Sequence, residues 1–173
     1  MKKQFKSVLA VALVAALTSP AMAADKIAFV VKSLGNGFFD AANQGAQEAA
    51  KELKNIEVIY TGPAKATAEG QIEIVNALIA QKVSAIVISA NDPDALAPSL
   101  KRAMERGIKV ISFDSGVRKD GRMMQLNPSS NPLIGEKLVK MTQQDIGSTG
   151  EVAILSATAQ ATNQNIWIKK KKK

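Results

Sequence analysis

The 173-residue sequence contains no cysteine and no histidine, and its aromatics are few: five Phe, one Tyr and one Trp. Without cysteine there is no disulfide, no thiol nucleophile and no residue for lipid attachment. Without histidine the commonest general base is missing, and the two absences together remove the usual nucleophile dyads and most transition-metal sites. No apolar run is long enough to cross a bilayer, since Val8 to Leu17 gives only ten residues. What is present is ordinary for a globular protein: 46% hydrophobic and 22% charged residues. A wholly disordered or collagen-like chain is thereby excluded.

The net charge of +8 invites a polyanion-binding reading, which fails once the charges are located. Lys2, Lys3, Lys6 and Lys169 through Lys173 hold eight of the 23 basic residues, with no acidic residue among them. Between residues 24 and 168 the other fifteen Lys and Arg balance all 15 Asp and Glu. The body of the protein is neutral, and neither nucleic acid nor an anionic membrane is expected as a partner.

The basic start, the apolar run and Ala21-Met22-Ala23 read as a secretory signal peptide over residues 1–23, cleaved before Ala24. The chain is expected to be exported, without stable membrane insertion after cleavage. An exported chain without disulfides needs a hydrophobic core, and about 145 residues suffice for one.

Short β-rich apolar runs recur at Ile27 to Val31, Val58 to Tyr60, Ala85 to Ser89, Val110 to Phe113 and Val152 to Leu155, with Met123 to Leu126 as a further short candidate. Between the first four lie helical spacings: Phe38, Ala42, Ala46, Ala49, Leu53; then Ile72, Val75, Ile79; then Leu96, Leu100, Met104. Asp92 suits the cap of a helix whose first residue is Pro93, and Gly107 suits its end. Pro98 conflicts, so that helix either starts later or kinks. A fourth helix is predicted from Pro132, capped by Asn131, to Ile146, with Gly147 ending it. The expected fold class is α/β, one domain with a mostly parallel sheet and helices on both faces. Ligands of such sheets bind beyond the carboxyl ends of the strands.

The loops there carry the candidate residues. After the first strand come Lys32, then Gly35-Asn36-Gly37-Phe38-Phe39-Asp40. A dinucleotide site is disfavoured, because Asp40 stands where the third glycine belongs and two Phe fill the turn. Paired rings beside an amide and an amine suit a sugar, which offers apolar C–H faces and many hydroxyls; alternatively the rings simply begin an amphipathic helix. Asp92 and Asp114 close the third and fourth strands, with capping and turn formation as their rival roles. A polar loop follows the last strand, including Thr162-Asn163-Gln164-Asn165.

These residues resemble a known family. Ile27-Ala-Phe-Val-Val-Lys32, Gly35-Asn-Gly-Phe-Phe39, Gly45-Ala-Gln-Glu-Ala-Ala-Lys-Glu-Leu53, Ile86-Val-Ile-Ser-Ala-Asn-Asp-Pro-Asp-Ala-Leu96 and Val110-Ile-Ser-Phe-Asp114 are similar to the amino-terminal lobe of type I periplasmic sugar-binding proteins of ABC importers. Lys32 and the late Thr162-Asn-Gln-Asn-Ile-Trp167 resemble the branch holding rhamnose-binding proteins and autoinducer-2 receptors. The resemblance implies ligand-binding roles for Lys32, Asn36, Phe38, Phe39, Asp92, Asp114, Asn163 and Gln164. It further implies no cofactor and no metal, a monomer, and a membrane permease as partner. Autoinducer-2 receptors are expected to carry Asp at the place of Asn163, which favours a rhamnose-type sugar.

Family members have two lobes with the ligand between them. The expected division is an amino-terminal lobe over residues 24–168, with a second lobe replaced by the lysines 169–173. Those lysines read as the product of a truncated or frame-shifted gene, against an expression tag, a lipid-binding or a nucleic-acid-binding tail. A lone lobe is expected to bind sugar weakly or not at all. Two other classes stand beside this one: a secreted carbohydrate-active enzyme using Asp92 and Asp114, and a repressor core, for which the amino-terminal DNA-binding helices are lacking.

Overall fold

The computed structural model describes residues 24–171; the expected signal peptide and the last two lysines lie outside the described residues. The β-branched runs form β1 (Asp25–Val30), β2 (Ile56–Thr61), β3 (Ala85–Ile88), β4 (Lys109–Phe113) and β5 (Met124–Leu126). They make one sheet in the order β2-β1-β3-β4-β5. Every pairing is parallel, with Ile27 opposite Val58 and Ala85, and Val30 opposite Thr61 and Ile88. Among the described residues the helices are α1 (Gly37–Leu53), α2 (Ala68–Ala80), α3 (Pro93–Glu105), α4 (Asn131–Ile146) and α5 (Thr162–Lys171). None is long and apolar enough to cross a membrane.

Alternation along β1 sends its side chains into two cores. Ala28 and Val30 join Ile86, Ile88 and Val110 beneath α2 and α3, where Val75, Leu78, Leu96 and Leu100 are buried. Phe29 and Val31 join Phe113 and Phe39 of α1 on the opposite face. The sheet is thus covered on both faces, as a parallel sheet requires, and the α/β class is confirmed. Neither core includes a residue of α4 or α5.

The caps explain where the helices start. Asn36 accepts from the Phe38 N–H, Thr67 from that of Gly70, and Asp92 from those of Asp94 and Ala95. α3 begins at Pro93 and continues through Pro98 without restarting. Pro98 and Asp94 are both exposed, so the carbonyl that loses its donor to the proline lies on the solvent side of the helix. α4 is capped by Ser130, whose hydroxyl accepts from the Leu133 N–H, one residue before the expected Asn131. Gly147 ends α4 with φ of 82°, a conformation that glycine adopts without strain.

Two further expectations are corrected. Val152 to Leu155 is not a strand: the segment pairs with none of the five strands, and Leu155 is 99% exposed. β-propensity supplies no partner, and a strand forms only where a neighbouring ladder and a covered face exist. Thr162 to Asn165 is not a loop but the first turn of α5, which carries on through Lys171. Unlike the strand residues, these lack apolar periodicity, and side-chain ties to the β4 loop set their course.

Candidate functional site

The parallel register brings the ends of β1, β3 and β4 to one edge of the sheet. Lys32, Ser89 and Asp114 follow there, two residues, one residue and one residue past their strands. Asp114 takes a left-handed backbone, φ 53°, which short polar side chains tolerate best, and this turns the chain sharply after β4. Gly62, beyond β2, is required by space: a Cβ there would lie 2.7 Å from Val31 Cγ2 and 3.0 Å from the Val31 carbonyl oxygen.

Asn163 arrives from α5, whose start is tied to the β4 loop. The Thr162 N–H donates to Ser115 Oγ at 3.1 Å, and the Thr162 hydroxyl donates to the Gly116 carbonyl at 3.1 Å. Asn163 Nδ2 then donates to Asp114 Oδ1 at 2.6 Å. Asp114 Oδ2 accepts from the Ser89 hydroxyl at 2.8 Å and faces Lys32 Nζ at 3.6 Å. Lys32 Nζ is also 3.5 Å from Asn163 Oδ1, which accepts the Gln164 N–H at 2.8 Å.

Lys32 is only 6% exposed. Burial pushes its ammonium below the ordinary lysine range, while the Asp114 charge and hydrogen bond pull it back up. Both of its contacts sit at the outer limit of a hydrogen bond, well beyond the usual 2.7–3.2 Å. An ammonium carries three donors, so a ligand hydroxyl approaching at normal distance would satisfy it better than the protein does. Asp114 and Asn163 supply acceptors and a donor beside it. The cluster suits a neutral polyhydroxyl molecule.

The aromatics form a relay leading to this edge. Phe29 stacks on Phe113 at 4.8 Å between ring centres, Phe39 meets Phe113 edge-on at 6.1 Å, and Phe38 meets Phe39 edge-on at 5.2 Å. Phe39 is buried within this stack, whereas Phe38 is 50% exposed.

The eight predicted residues therefore divide. The structure brings Lys32, Asp114 and Asn163 into direct contact. Asn36 and Asp92 spend side-chain oxygens on the caps of α1 and α3. Gln164 turns away, its Oε1 accepting from the Ser156 hydroxyl and the Ala157 N–H. Ser89 was not singled out, although it ends the run Ala85 to Ser89 and a hydroxyl after a buried strand is a readable signal. Gln71, wholly buried in α2, was also missed; a polar residue four positions before Val75 on the core face is the corresponding signal.

Two cavities of about 560 and 720 Å³ lie elsewhere, between α4 and residues 146–157, with α5 completing the first. Their linings include Leu138, Ile154, Trp167 and Val139 and none of Lys32, Asp114 or Asn163. Converging polar groups, rather than volume, identify a site for a hydroxylated ligand. Among the described residues no group of three or more carboxylates could hold a metal ion.

Known proteins share this chain's pattern. The family model for the periplasmic binding protein domain matches residues 27–173. The ribose import binding protein RbsB of Escherichia coli is 36% identical over 139 residues, covering 79% of this chain and 45% of that protein. The D-ribose/D-allose-binding protein of Pseudomonas aeruginosa is 33% identical, over 80% of this chain and 46% of its own length. An ABC transporter solute-binding protein of Clostridium phytofermentas, solved with bound L-rhamnose, shares 36% identity with a TM-score of 0.82, covering 86% of this chain and 46% of that one. LsrB of Clostridium saccharobutylicum in complex with AI-2 shares 29% identity with a TM-score of 0.75, covering 85% and 47%. The chain spans about half the length of the relatives it matches. With the model matching nearly all of the described residues, the chain belongs to the periplasmic binding protein domain family.

Proposed function

We propose that the chain is the sugar-contacting part of a periplasmic solute-binding component of an ABC importer, capturing a rhamnose-type monosaccharide for a membrane permease. The observation that carries this reading is the buried Lys32 ammonium with only long contacts to Asp114 and Asn163. A sugar hydroxyl would complete its coordination, and the exposed face of Phe38 would cover an apolar sugar face. The relative solved with L-rhamnose supports the sugar class. The two carboxylates considered for catalysis are otherwise engaged, Asp114 with Lys32 and Asp92 through its Oδ1 with a helix cap.

Asn163 favours a sugar over autoinducer-2. Its Nδ2 donates to Asp114 at 2.6 Å, where an aspartate would bring a second carboxylate against the first. Autoinducer-2 remains the second reading because of the likeness to LsrB. In this reading the described residues supply one wall of the site, and that wall by itself binds sugar weakly. Residues 1–23 act as an export signal in this account. Calorimetric titration of the protein with L-rhamnose, D-ribose and autoinducer-2 tests the assignment: tightest binding of rhamnose supports it, and tightest binding of either other ligand replaces it.

A further inference from the structure

Past Val30 and Ile88 the neighbouring strands β1 and β3 stop pairing, apart from the Ser89 N–H donating to the Val30 carbonyl at 3.0 Å. The two chains then part, one towards Lys32 and one towards Asn91. Gln71 fills the gap. Its Nε2 donates to the Val31 carbonyl at 3.0 Å and to the Ser89 carbonyl at 2.8 Å, while its Oε1 accepts the Asn91 N–H at 2.8 Å. Asn91 continues the clasp, its Nδ2 donating to the Lys32 carbonyl at 2.9 Å and to the Thr67 carbonyl at 3.1 Å. Gln71 is 0% exposed and Asn91 2% exposed, so neither bond network has water as a ready substitute.

We infer that Gln71, acting with Asn91, is a positioning residue that fixes the Lys32 backbone and the Ser89 hydroxyl relative to Asp114. The carbonyls it holds belong to the residue before Lys32 and to Ser89 itself, which donates to Asp114 Oδ2. A side chain needed only to dock α2 would have no reason to bridge both arms of the cluster. Its neighbour Val75, one turn along the same helix, does that docking with apolar contact alone. The inference deepens the proposed sugar site and rests on it for its biological meaning, but the geometry stands on its own.

The test follows the protonation of Lys32 Nζ by heteronuclear NMR in the whole 173-residue chain, so it does not depend on sugar binding. Gln71→Met keeps the shape and removes the three bonds, and Val75→Ala serves as a destabilising control on the same helix. Because burial is the main cause of the lowered Lys32 value, freeing its backbone raises that value. The expected result is a proton-affinity increase of at least about threefold in Gln71→Met and no change in Val75→Ala. Should Gln71→Met fail to fold, Asn91→Ala removes the Lys32 carbonyl bond and must produce the same increase. An unmoved Lys32 in these variants, or an equal shift in the Val75→Ala control, overturns the inference and leaves Gln71 as helix packing. Failure of sugar binding with the Lys32 shift intact would sink the function and not the positioning.

Discussion

Lys32 and Asp114 form a buried ion pair whose closest nitrogen and oxygen are 3.6 Å apart, and Asn163 touches both partners. Lys32 and Asp114 follow β1 and β4, and Asn163 lies in the first turn of α5, up to 131 positions away. Their meeting point turns an ordinary parallel sheet edge into a polar cluster with donors and acceptors to exchange.

The pair gives a stability signature in pH. Burial lowers the Lys32 value below 10.5, so between that lowered value and 10.5 the unfolded chain binds more protons than the folded one. Stability contributed by this group therefore rises as pH rises through that window. Urea denaturation of the wild type and of Lys32→Met, compared from neutral to alkaline pH, should show the wild type gaining on the variant as pH increases. A constant or shrinking difference contradicts the assignment.

Asn163→Asp places a carboxylate where the amide now donates to Asp114 at 2.6 Å. The like charges should cost about 1–3 kcal/mol at neutral pH and raise the apparent pKa of one carboxyl. Protonation relieves the repulsion, so the loss should fade on acidification. Thermal unfolding at pH 7 and pH 4 checks this, and equal losses at both pH values would argue against direct contact.

Asp92 separates capping from binding. Its Oδ1 holds the N–H groups of Asp94 and Ala95 at 2.8 and 2.9 Å, a role that Asn can fill. Asp92→Ala should cost about 1 kcal/mol, and Asp92→Asn much less. If Asp92→Asn keeps its melting temperature and yet loses sugar affinity, the residue also contacts ligand.

The adjacent phenylalanines should behave oppositely. Phe39→Ala empties a site in the aromatic core and should cost about 3–5 kcal/mol. Phe38→Ala removes a half-exposed ring and should leave stability within about 1 kcal/mol while weakening sugar binding. Calorimetric unfolding and sugar titration on both variants distinguish the two roles.

How much of this was legible depended on what each residue's neighbours had to supply. β1 to β4 follow from β-branched apolar runs and lie within two residues of their expected bounds, because burial on both faces leaves a local imprint. Asp92 was readable as a cap because capping is also local. Val152 to Leu155 carries the same imprint and forms no strand, since pairing needs a partner that no local pattern reveals. Lys32 and Asp114 were found by their places after strands. That Asn163 bridges them while Gln164 turns towards Ser156 is set by the register of α5, which propensity does not encode. Gln71 shows in the sequence only as a polar residue on the core face of α2, because its partners, the Val31 and Ser89 carbonyls and the Asn91 N–H, are distant in sequence.

The central claim is that the Lys32, Asp114 and Asn163 cluster is the sugar-binding wall of this chain. Titrating the isotopically labelled chain with L-rhamnose and mapping amide shift changes by NMR tests it most directly. The account predicts weak, fast-exchanging binding with changes concentrated at Lys32, Phe38, Asp114 and Asn163, abolished by Asp114→Ala. Changes centred on the cavities beside α4, or none at high sugar concentration, would contradict it.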